Sequence, residues 1–300
     1  MPEYPDVELY LHALRTRVIG REISRFGIVG PNVLRTFDPR PRAVEGRTVL
    51  DLTRIGKRVD FALDDDLHVV VHLMIAGRFQ WRSGGSKPPG RPALAWFDFG
   101  NERLVLTEAS KKKRAGLWIV VGDDAVRALD PGGLEVMDAT PEDFTRVLRR
   151  ENHTLKRALT DPSLFSGIGN AYSDEILHRA RLSPFLRTAQ VDDEVVARLY
   201  AACVEVLEEW RRKLIEATGD AWPKKVSAFR PGMAVHGRFQ EPCPVCGSPV
   251  QRVVHGESEF NYCATCQTGG KILADRSLSR LLKNDWPKTI EELEERRSRP

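Results

Sequence analysis

The sequence predicts an α+β protein built from several domains, and three observations lead to this prediction. A short amphipathic helical stretch opens the chain, and residues 22–121 then read as one strand after another. Beyond residue 133 the spacing of apolar residues changes to that of helices. Two Cys-x-x-Cys pairs follow near the end, on either side of a strand-like stretch. We therefore expect an N-terminal helix plus β-sandwich, then a helical domain, then a C-terminal β-hairpin held by cysteines.

The domain boundaries are predicted from these changes in pattern. The N-terminal domain is expected at 1–128, the helical domain at 129–228 and the cysteine-containing domain at 229–270. Residues 271–300 form a C-terminal extension of mixed acidic and basic composition, with one helix expected at 277–283.

The first helix is predicted from Val7, Leu11, Leu14 and Val18, which recur at helical spacing and form one apolar face. Asp6 is expected to cap this helix just before Val7. The strands that follow are rich in Val, Ile, Phe and Trp, and several are separated by Gly, Asp and Pro. They are predicted at 22–29, 48–52, 58–63, 68–79, 94–99, 103–106 and 117–121. Such a series is typical of a β-sandwich or a flattened barrel.

The helical part is predicted to begin at Thr140, with a proline at the first helical position. A second helix carries Lys156. The stretch 165–170 interrupts the pattern with two glycines, and helical spacing resumes at 171–181. Cys203 then lies on the apolar face of a longer helix, where a free cysteine usually serves as a core residue.

The two Cys-x-x-Cys pairs are separated by 16 residues, a spacing typical of a zinc site. Four thiolates suit a tetrahedral structural zinc ion and leave no open position for catalysis. A redox pair and an iron–sulfur site are the alternatives. The alternating residues between the pairs predict a β-hairpin. The four cysteines are Cys243, Cys246, Cys263 and Cys266.

Composition indicates a globular protein with a mildly basic charge. The net charge is +4, the isoelectric point is near 8.8 and the hydrophobic fraction is 41%. This charge is compatible with a nucleic-acid partner but does not identify one. No apolar run has the length of a membrane span, and no signal segment opens the sequence. We expect a cytoplasmic protein with no membrane partner.

The N-terminus offers a nucleophile. Removal of the initiator Met1 would leave Pro2 with a free secondary amine, and α-amino groups have a pKa of about 7.7–8.0. The unprotonated amine can attack an aldehyde or a sugar carbon and form an iminium ion. Glu3 stands beside it as an acid or base. An ordinary frayed terminus is the alternative interpretation of these residues.

The stretch 165–170 is suited to binding phosphate. Its glycines let backbone amides face outward at the start of a helix, and such amides bind phosphate well. Asn170 either caps that helix or donates its side-chain amide to the phosphate. Lys156, on the preceding helix, favours the phosphate interpretation.

Three further features each allow a structural and a functional interpretation. Lys57 follows Gly56, which permits an unusual turn and could aim the lysine into a cleft, although most lysines are solvated. Met74 is either core filler or an apolar wedge for a base stack. A basic run forms either a solvated face or a phosphate clamp, and consists of Lys111, Lys112, Lys113 and Arg114.

In their order along the chain, these parts resemble the formamidopyrimidine-DNA glycosylase and endonuclease VIII family of base-excision repair enzymes. The resemblance covers residues 1–268: a Pro-Glu start ahead of a helix, a β-sandwich, a helix–two-turn–helix ending in Gly-Ile-Gly-Asn, and a four-cysteine zinc finger. It implies a monomeric DNA glycosylase with AP-lyase activity, nucleoid-associated when bound to DNA. The implied partner is double-stranded DNA carrying a damaged base or an abasic site. Oxidised purines are the first expected lesions and oxidised pyrimidines the second.

The resemblance also implies roles for individual residues. Pro2 would attack C1′ of the damaged nucleotide and form a Schiff base, and Glu3 would help to open the sugar ring. Lys57 would bind phosphate near the lesion and assist proton transfer. Met74 would fill the gap left by the flipped base.

The resemblance likewise implies that Lys156 and Asn170 contact phosphate. It also implies one zinc ion bound by the four cysteines. A non-catalytic protein of the same fold that only binds damaged DNA is the competing class. The presence of Pro2, Glu3 and Lys57 together argues against it.

The sequence departs from the family pattern in two functional stretches. Residues 108–116 replace a stretch in which the family often carries an arginine and a phenylalanine that probe the orphan base. This stretch is longer here and has no aromatic residue. Ser258 stands where the finger of the family carries an arginine linked to a second elimination. We expect that elimination to be weak here, or to depend on another residue such as Arg252.

Overall fold

The computed structural model describes residues 1–85, 87–224, 226–227, 229–255, 258–274 and 287–298. The chain forms two compact units. The first contains Met1–Gly133 and Glu208–Ala228, and the second contains Leu134–Leu207 and Phe229–Pro300. The predicted α+β class is confirmed. None of the helices in the described part of the chain combines the length and apolar character that a membrane span needs.

The first helix, α1 (Tyr4–Val18), begins three residues before the predicted start. The Glu3 backbone N–H donates to the Asp6 carboxylate at 2.9 Å, so Asp6 acts from inside the first turn and not from in front of it. Val7, Leu14 and Val18 are fully buried, which confirms the predicted apolar face. The start of the chain is thereby attached to a packed core.

Two antiparallel four-stranded sheets form the predicted β-sandwich. The strands are β1 (Arg25–Ile28), β2 (Val49–Ile55), β3 (Arg58–Leu63), β4 (Leu67–His72), β5 (Gly77–Ser83), β6 (Ala93–Phe99), β7 (Glu102–Glu108) and β8 (Gly116–Val121). One sheet has the order β1-β6-β7-β5 and the other β2-β3-β4-β8. The short 3-10 helices Pro31–Val33 and Pro41–Val44 precede β2, and helix α2 (Asp123–Arg127) follows β8.

Aromatic side chains fill the space between the sheets. The ring of Phe61, on β3, stacks on that of Phe97, on β6 of the other sheet, with centroids 5.5 Å apart. Phe61 also meets Phe79 of β5 edge-on at 6.2 Å. All three rings are fully buried or nearly so. Aromatic pairs at these distances add to the free energy gained by apolar burial.

One strand prediction is wrong in a way that matters for the site. The stretch 68–79 is not one strand but two, β4 and β5, and these belong to different sheets. The Gly77 N–H donates to the Leu73 carbonyl at 2.8 Å and closes a tight turn between them. Apolar periodicity alone does not reveal a turn that is itself apolar.

The helices after residue 134 follow the prediction closely. They are α3 (Pro141–Leu148), α4 (Leu155–Thr160), α5 (Asn170–Arg179) and α6 (Asp193–Thr218), with the 3-10 turn Thr188–Gln190 before α6. The second unit contains α3, α4, α5 and the part of α6 up to Leu207, and the rest of α6 belongs to the first unit. The Thr140 hydroxyl accepts the Asp143 N–H at 3.2 Å, which confirms the predicted N-terminal cap of α3. Cys203 is fully buried, as a core residue should be.

The C-terminal part is a hairpin of β9 (Gln251–His255) and β10 (Ser258–Tyr262), followed by α7 (Ala264–Thr268) and α8 (Ile290–Ser298). Residues 287–290 return to this hairpin: the Ile272 N–H donates to the Lys288 carbonyl at 2.8 Å. Ile290 is 7% exposed and packs with Val253, Phe260 and Tyr262. The extension therefore completes an apolar cluster of the hairpin. The helix expected at 277–283 lies outside the described residues.

Candidate functional site

The N-terminal amine, here carried by Met1, lies among charged groups of the first unit. Burial lowers the pKa of this amine below its ordinary value of 8.0. The Glu3 carboxylate opposes this shift, whereas the positive charges of Arg78 and Lys57 add to it. Pro2 is buried and Glu3 is 2% exposed. An amine in this environment is unprotonated at a lower pH than an exposed one, and a carboxylate lies close to it.

Lys57 lies at the tip of the hairpin between β2 and β3. Gly56, the other turn residue, has a φ of 59°, in the left-handed region that glycine adopts readily. The Lys57 side chain is half-buried. Burial lowers the pKa of its ammonium group, and the negative charge of Glu3 partly restores it. The predicted unusual turn at Gly56 is therefore present, and Lys57 and Glu3 interact.

His72 is a candidate that the sequence reasoning missed. It ends β4 directly opposite Arg58 on β3, next to the hairpin that carries Lys57. Burial, followed by the charges of Arg58 and Lys57, lowers the pKa of His72 to about 4. A neutral imidazole beside two cations can donate a hydrogen bond to an anion. The cross-strand pairing with Arg58 is the relevant signal, and it requires the strand register.

The turn between β4 and β5 exposes Ile75, not Met74. Met74 is half-buried with a φ of 52°, whereas Ile75 at the turn's tip is 54% exposed. A Cβ at Gly77 would lie 2.2 Å from the Leu73 carbonyl oxygen, so only glycine fits there. The Arg78 guanidinium donates to the carbonyls of Ile75 at 3.2 Å and Gly77 at 2.6 Å. The apolar side chain presented by this turn is therefore that of Ile75.

The basic run Lys111–Arg114 lies on the loop between β7 and β8, and its four side chains are exposed. Glu108, which is 1% exposed, organises the loop from within. Its carboxylate accepts the backbone N–H groups of Arg114 at 2.9 Å and Ala115 at 3.0 Å, and the Ser110 hydroxyl at 2.9 Å. The loop is thus held by a buried acid, while its cations face solvent.

Lys156 is buried in the second unit, where it forms an ion pair with Asp174 of α5. Its ammonium also donates to the Asn170 carbonyl at 2.7 Å and to the Ser173 hydroxyl at 2.8 Å. These contacts hold Lys156 directly beneath the first residue of α5. Its predicted phosphate contact remains a prediction, and the described partners of its ammonium group all belong to α5 or to the adjoining finger.

The turn before α5 contains the two glycines noted in the sequence, but Asn170 is not the cap. Gly169 occupies the N-cap position and Asn170 is the first helical residue. Asn170 is exposed, and its side-chain amide donates to the Glu259 carbonyl on β10 at 2.6 Å. This contact attaches the turn to the hairpin finger. Asn170 lies at the exposed start of a helix, where anions bind.

Helix α5 is attached to the finger by further buried hydrogen bonds. The Asp174 carboxylate accepts from His236 Nδ1 at 2.7 Å and from the Asn261 N–H at 3.1 Å. The Glu175 carboxylate accepts the N–H groups of residues 234–236 at 2.6–2.9 Å. Charge-assisted hydrogen bonds of this kind are the strong ones in proteins. Helix α5 and the finger therefore form one connected piece of the second unit.

The four cysteines meet in one cluster. Their sulfur atoms all lie within 4.8 Å of one another, with Cys243 and Cys266 3.9 Å apart and Cys246 and Cys263 3.4 Å apart. Sulfurs bound at about 2.3 Å to a tetrahedral zinc ion are about 3.8 Å apart, whereas bonded disulfide sulfurs are about 2.05 Å apart. The cluster fits one structural zinc ion with four thiolate ligands, and the expected cofactor is confirmed.

Three family models match the chain. The model of the formamidopyrimidine-DNA glycosylase N-terminal domain matches residues 1–114, and that of the formamidopyrimidine-DNA glycosylase H2TH domain matches residues 129–216. The model of the zinc finger found in Fpg and IleRS matches residues 240–269.

Curated relatives cover most of the chain. The formamidopyrimidine-DNA glycosylase of Thermus thermophilus is 33% identical over 283 residues, which cover 90% of this chain and 100% of the relative. An uncharacterised formamidopyrimidine-DNA glycosylase-like protein of Mycobacterium tuberculosis is 41% identical over 164 residues, 55% of this chain and 100% of that protein.

Solved structures share the fold. The Fpg (MutM) protein of Thermus thermophilus superposes with a TM-score of 0.74 at 30% identity, covering 89% of this chain and 98% of that one. Lactococcus lactis Fpg in complex with abasic-site DNA gives a TM-score of 0.77 at 22% identity, covering 89% and 99%. The architecture described above is therefore shared along almost the whole length of these proteins.

Proposed function

Since the chain belongs to the formamidopyrimidine-DNA glycosylase family, we propose that it is a base-excision repair DNA glycosylase that also cleaves the strand at the resulting abasic site. Its partner is double-stranded DNA with a damaged base or an abasic site. The observation that carries the proposal is the buried pair Pro2 and Glu3 at the N-terminus, with the Glu3 carboxylate acting on the nearby Lys57 ammonium. This combination suits an amine nucleophile with an adjacent acid and a cation for phosphate.

The chemistry begins once Met1 is removed and the amine belongs to Pro2. The nitrogen lone pair forms a bond to C1′ as the bond from C1′ to the base breaks, and the base leaves with the proton that the nitrogen loses. Glu3 gives a proton to the ring oxygen, the sugar opens and an iminium ion forms. The iminium acidifies the C2′ protons, and loss of one of them expels the 3′-phosphate. One amine thus removes the base and cuts the strand.

The damaged nucleotide must leave the duplex to reach Pro2, at a cost of a few kcal/mol. Ile75 is the better candidate for the apolar wedge that fills the vacated space, because it is exposed at the tip of a turn closed by Gly77 and held by Arg78. Met74, the wedge residue predicted from sequence, would lie behind Ile75 and form part of the turn. Lys57 and His72 would hold the phosphate beside the lesion.

Phosphate contacts elsewhere come from exposed donors of both units. In the first unit these are the cations of the Lys111–Arg114 loop. In the second unit Asn170 provides the contact, and the buried ammonium of Lys156 supports the turn from beneath.

Arg252 is half-exposed and pairs with Glu259 at 3.2 Å, so a second elimination that depends on it would first have to break this ion pair. We expect that elimination to be weak.

The proposal is tested by trapping the covalent intermediate. Borohydride reduces an iminium, so the wild-type protein mixed with abasic-site DNA should give a stable adduct. Pro2→Gly should reduce the adduct strongly, whereas Pro88→Gly, in an exposed loop, should not. Glu3→Gln should slow its formation, and Glu22→Gln, at an exposed position, should not. Mass spectrometry of the trapped adduct should show a chain without Met1.

Two results would contradict this assignment. Wild-type protein that binds abasic-site DNA but gives no adduct would favour the competing function, a non-catalytic protein that recognises damaged DNA. Fully active protein that still carries Met1 would exclude Pro2 as the nucleophile.

A further inference from the structure

The zinc cluster has a neighbour on helix α5 that lies outside the four-cysteine pattern. His178 is 6% exposed, and its Nε2 atom lies 3.3 Å from the Sγ atom of Cys243. Cys243 itself is 2% exposed. The two residues are 65 positions apart in sequence, so the contact is made only by the fold of the second unit.

The chemistry of the metal centre determines the direction of this hydrogen bond. A zinc-bound cysteine is a thiolate, which has no proton and can only accept. Imidazole carries at least one N–H in either protonation state, so it can direct a donor at the sulfur. Nitrogen to sulfur at 3.3 Å is within hydrogen-bond range. Nε2 of His178 is therefore the donor and the Cys243 thiolate the acceptor.

Four thiolates and one Zn²⁺ carry a net charge of −2, and burial of such a charge is unfavourable unless nearby donors disperse it. Cys243 is buried, so it depends on protein donors more than an exposed thiolate such as that of Cys246. Outer donors of this kind typically change metal affinity by about 10–100-fold when they are removed.

We propose that His178 is a positioning residue of the zinc centre, which donates its Nε2–H to the Cys243 thiolate and thereby strengthens zinc binding. It acts through Cys243 and is not itself a ligand, because four cysteines already complete the tetrahedral set. The inference depends on the zinc site and not on the catalytic role of Pro2, so the two can fail separately.

The contact also extends the connection between α5 and the finger. Asn170, Asp174 and Glu175 attach the first half of the helix to the finger, and His178 attaches the last turn to the metal cluster itself. The helix whose first residue, Asn170, is proposed to contact phosphate is therefore attached to the zinc site at its other end.

The test is zinc affinity, measured on the full-length zinc-loaded protein by competition with a chromogenic chelator. His178→Leu should weaken zinc binding by about 10–100-fold. His178→Gln should remain within a factor of about 3 of wild type, because its side-chain amide reaches the position of Nε2 and donates an N–H. His153→Leu is the matched control: His153 is in the same unit but pairs with Glu151 at 2.5 Å, and its loss should leave zinc affinity unchanged.

A second pair of variants keeps the inference testable if His178→Leu does not fold. His178→Asn has the same amide as His178→Gln on a shorter side chain, which does not reach the sulfur. The Asn variant should therefore lose zinc as the Leu variant does, and its cobalt-substituted form should show a shifted thiolate-to-metal charge-transfer band. Equal zinc affinity in the Asn and Gln variants, or wild-type affinity in His178→Leu, would overturn the proposal.

Discussion

Asp174 should be the most sensitive single position in the second unit. Its carboxylate is 2% exposed and accepts from the Lys156 ammonium, from His236 Nδ1 and from the Asn261 N–H. Asp174→Asn keeps the size and shape of the side chain but removes its charge. The ammonium of Lys156, whose side chain is 10% exposed, then lacks its counter-charge.

The expected magnitude follows from this burial. Removing one partner of a buried ion pair typically costs about 3–5 kcal/mol, because the other charge remains desolvated. For a unit of this size each kcal/mol lowers the melting temperature by about 2–4 °C, so we expect a fall of about 6–20 °C. Differential scanning calorimetry of the zinc-loaded protein measures it directly. Lys156→Met in the Asp174→Asn background removes both charges and should recover about 1–3 kcal/mol of the loss.

Asp193→Asn is the matched control for this prediction. Asp193 pairs with Arg149 at 2.7 Å in the same unit, but the two side chains are 86% and 45% exposed. An exposed pair contributes about 0–1 kcal/mol. If Asp174→Asn lowers the melting temperature no more than Asp193→Asn, the buried carboxylate is not what holds Lys156 and α5 in place. If Lys156 also binds phosphate, DNA should stabilise Asp174→Asn more than wild type.

Three further predictions concern the β4–β5 turn, the amine and the C-terminal extension. Ile75→Gly should reduce excision from duplex DNA at least about tenfold, while cleavage of single-stranded DNA at an abasic site should be unchanged. Met74→Gly should leave the melting temperature unchanged or raise it, because glycine relieves the positive φ at this position. Excision assays and thermal melts on both variants test this: loss of duplex excision in Met74→Gly but not in Ile75→Gly would show that Met74 is the wedge instead. Adduct formation should rise with pH as the Pro2 amine loses its proton, and it should level off at a lower pH than for an exposed N-terminal proline, because burial disfavours the charged amine. Lys57→Gln removes a positive charge near the N-terminus and should move the inflection to higher pH. An inflection that does not move in a pH series of trapping rates would show that Lys57 does not influence the amine. Ile290→Ala should destabilise the second unit by about 2–4 kcal/mol in a urea titration, since Ile290 is buried in the cluster of the hairpin; an unchanged midpoint would mean that the extension adds no stability.

The features that were predicted from sequence depend on short spacings. The apolar face of α1, the cap at Thr140 and the two Cys-x-x-Cys pairs are each contained within a few turns of chain. Local hydrogen bonding, helical periodicity and ligand geometry determine such features without reference to distant residues. The fold class and the zinc site followed from these patterns, and the order of the parts indicated the family.

The identity of the exposed residue at the β4–β5 turn could not be predicted in this way. Met74 and Ile75 are adjacent and both apolar, so neither composition nor periodicity separates them. The choice depends on the close approach of Gly77 to the Leu73 carbonyl and on the positive φ at Met74. These are properties of a turn that joins two different sheets.

The sequence by itself determined the elements, the cysteine ligands of the metal and the candidates Pro2, Glu3 and Lys57, because each can be recognised within a short stretch of chain. Only the tertiary structure decided which groups meet: Lys156 with Asp174, Asn170 with the Glu259 carbonyl 89 residues away, and His178 with Cys243. The physical reason is that buried charges and donors must find partners wherever the folded chain places them, and spacing along the sequence does not specify that partner.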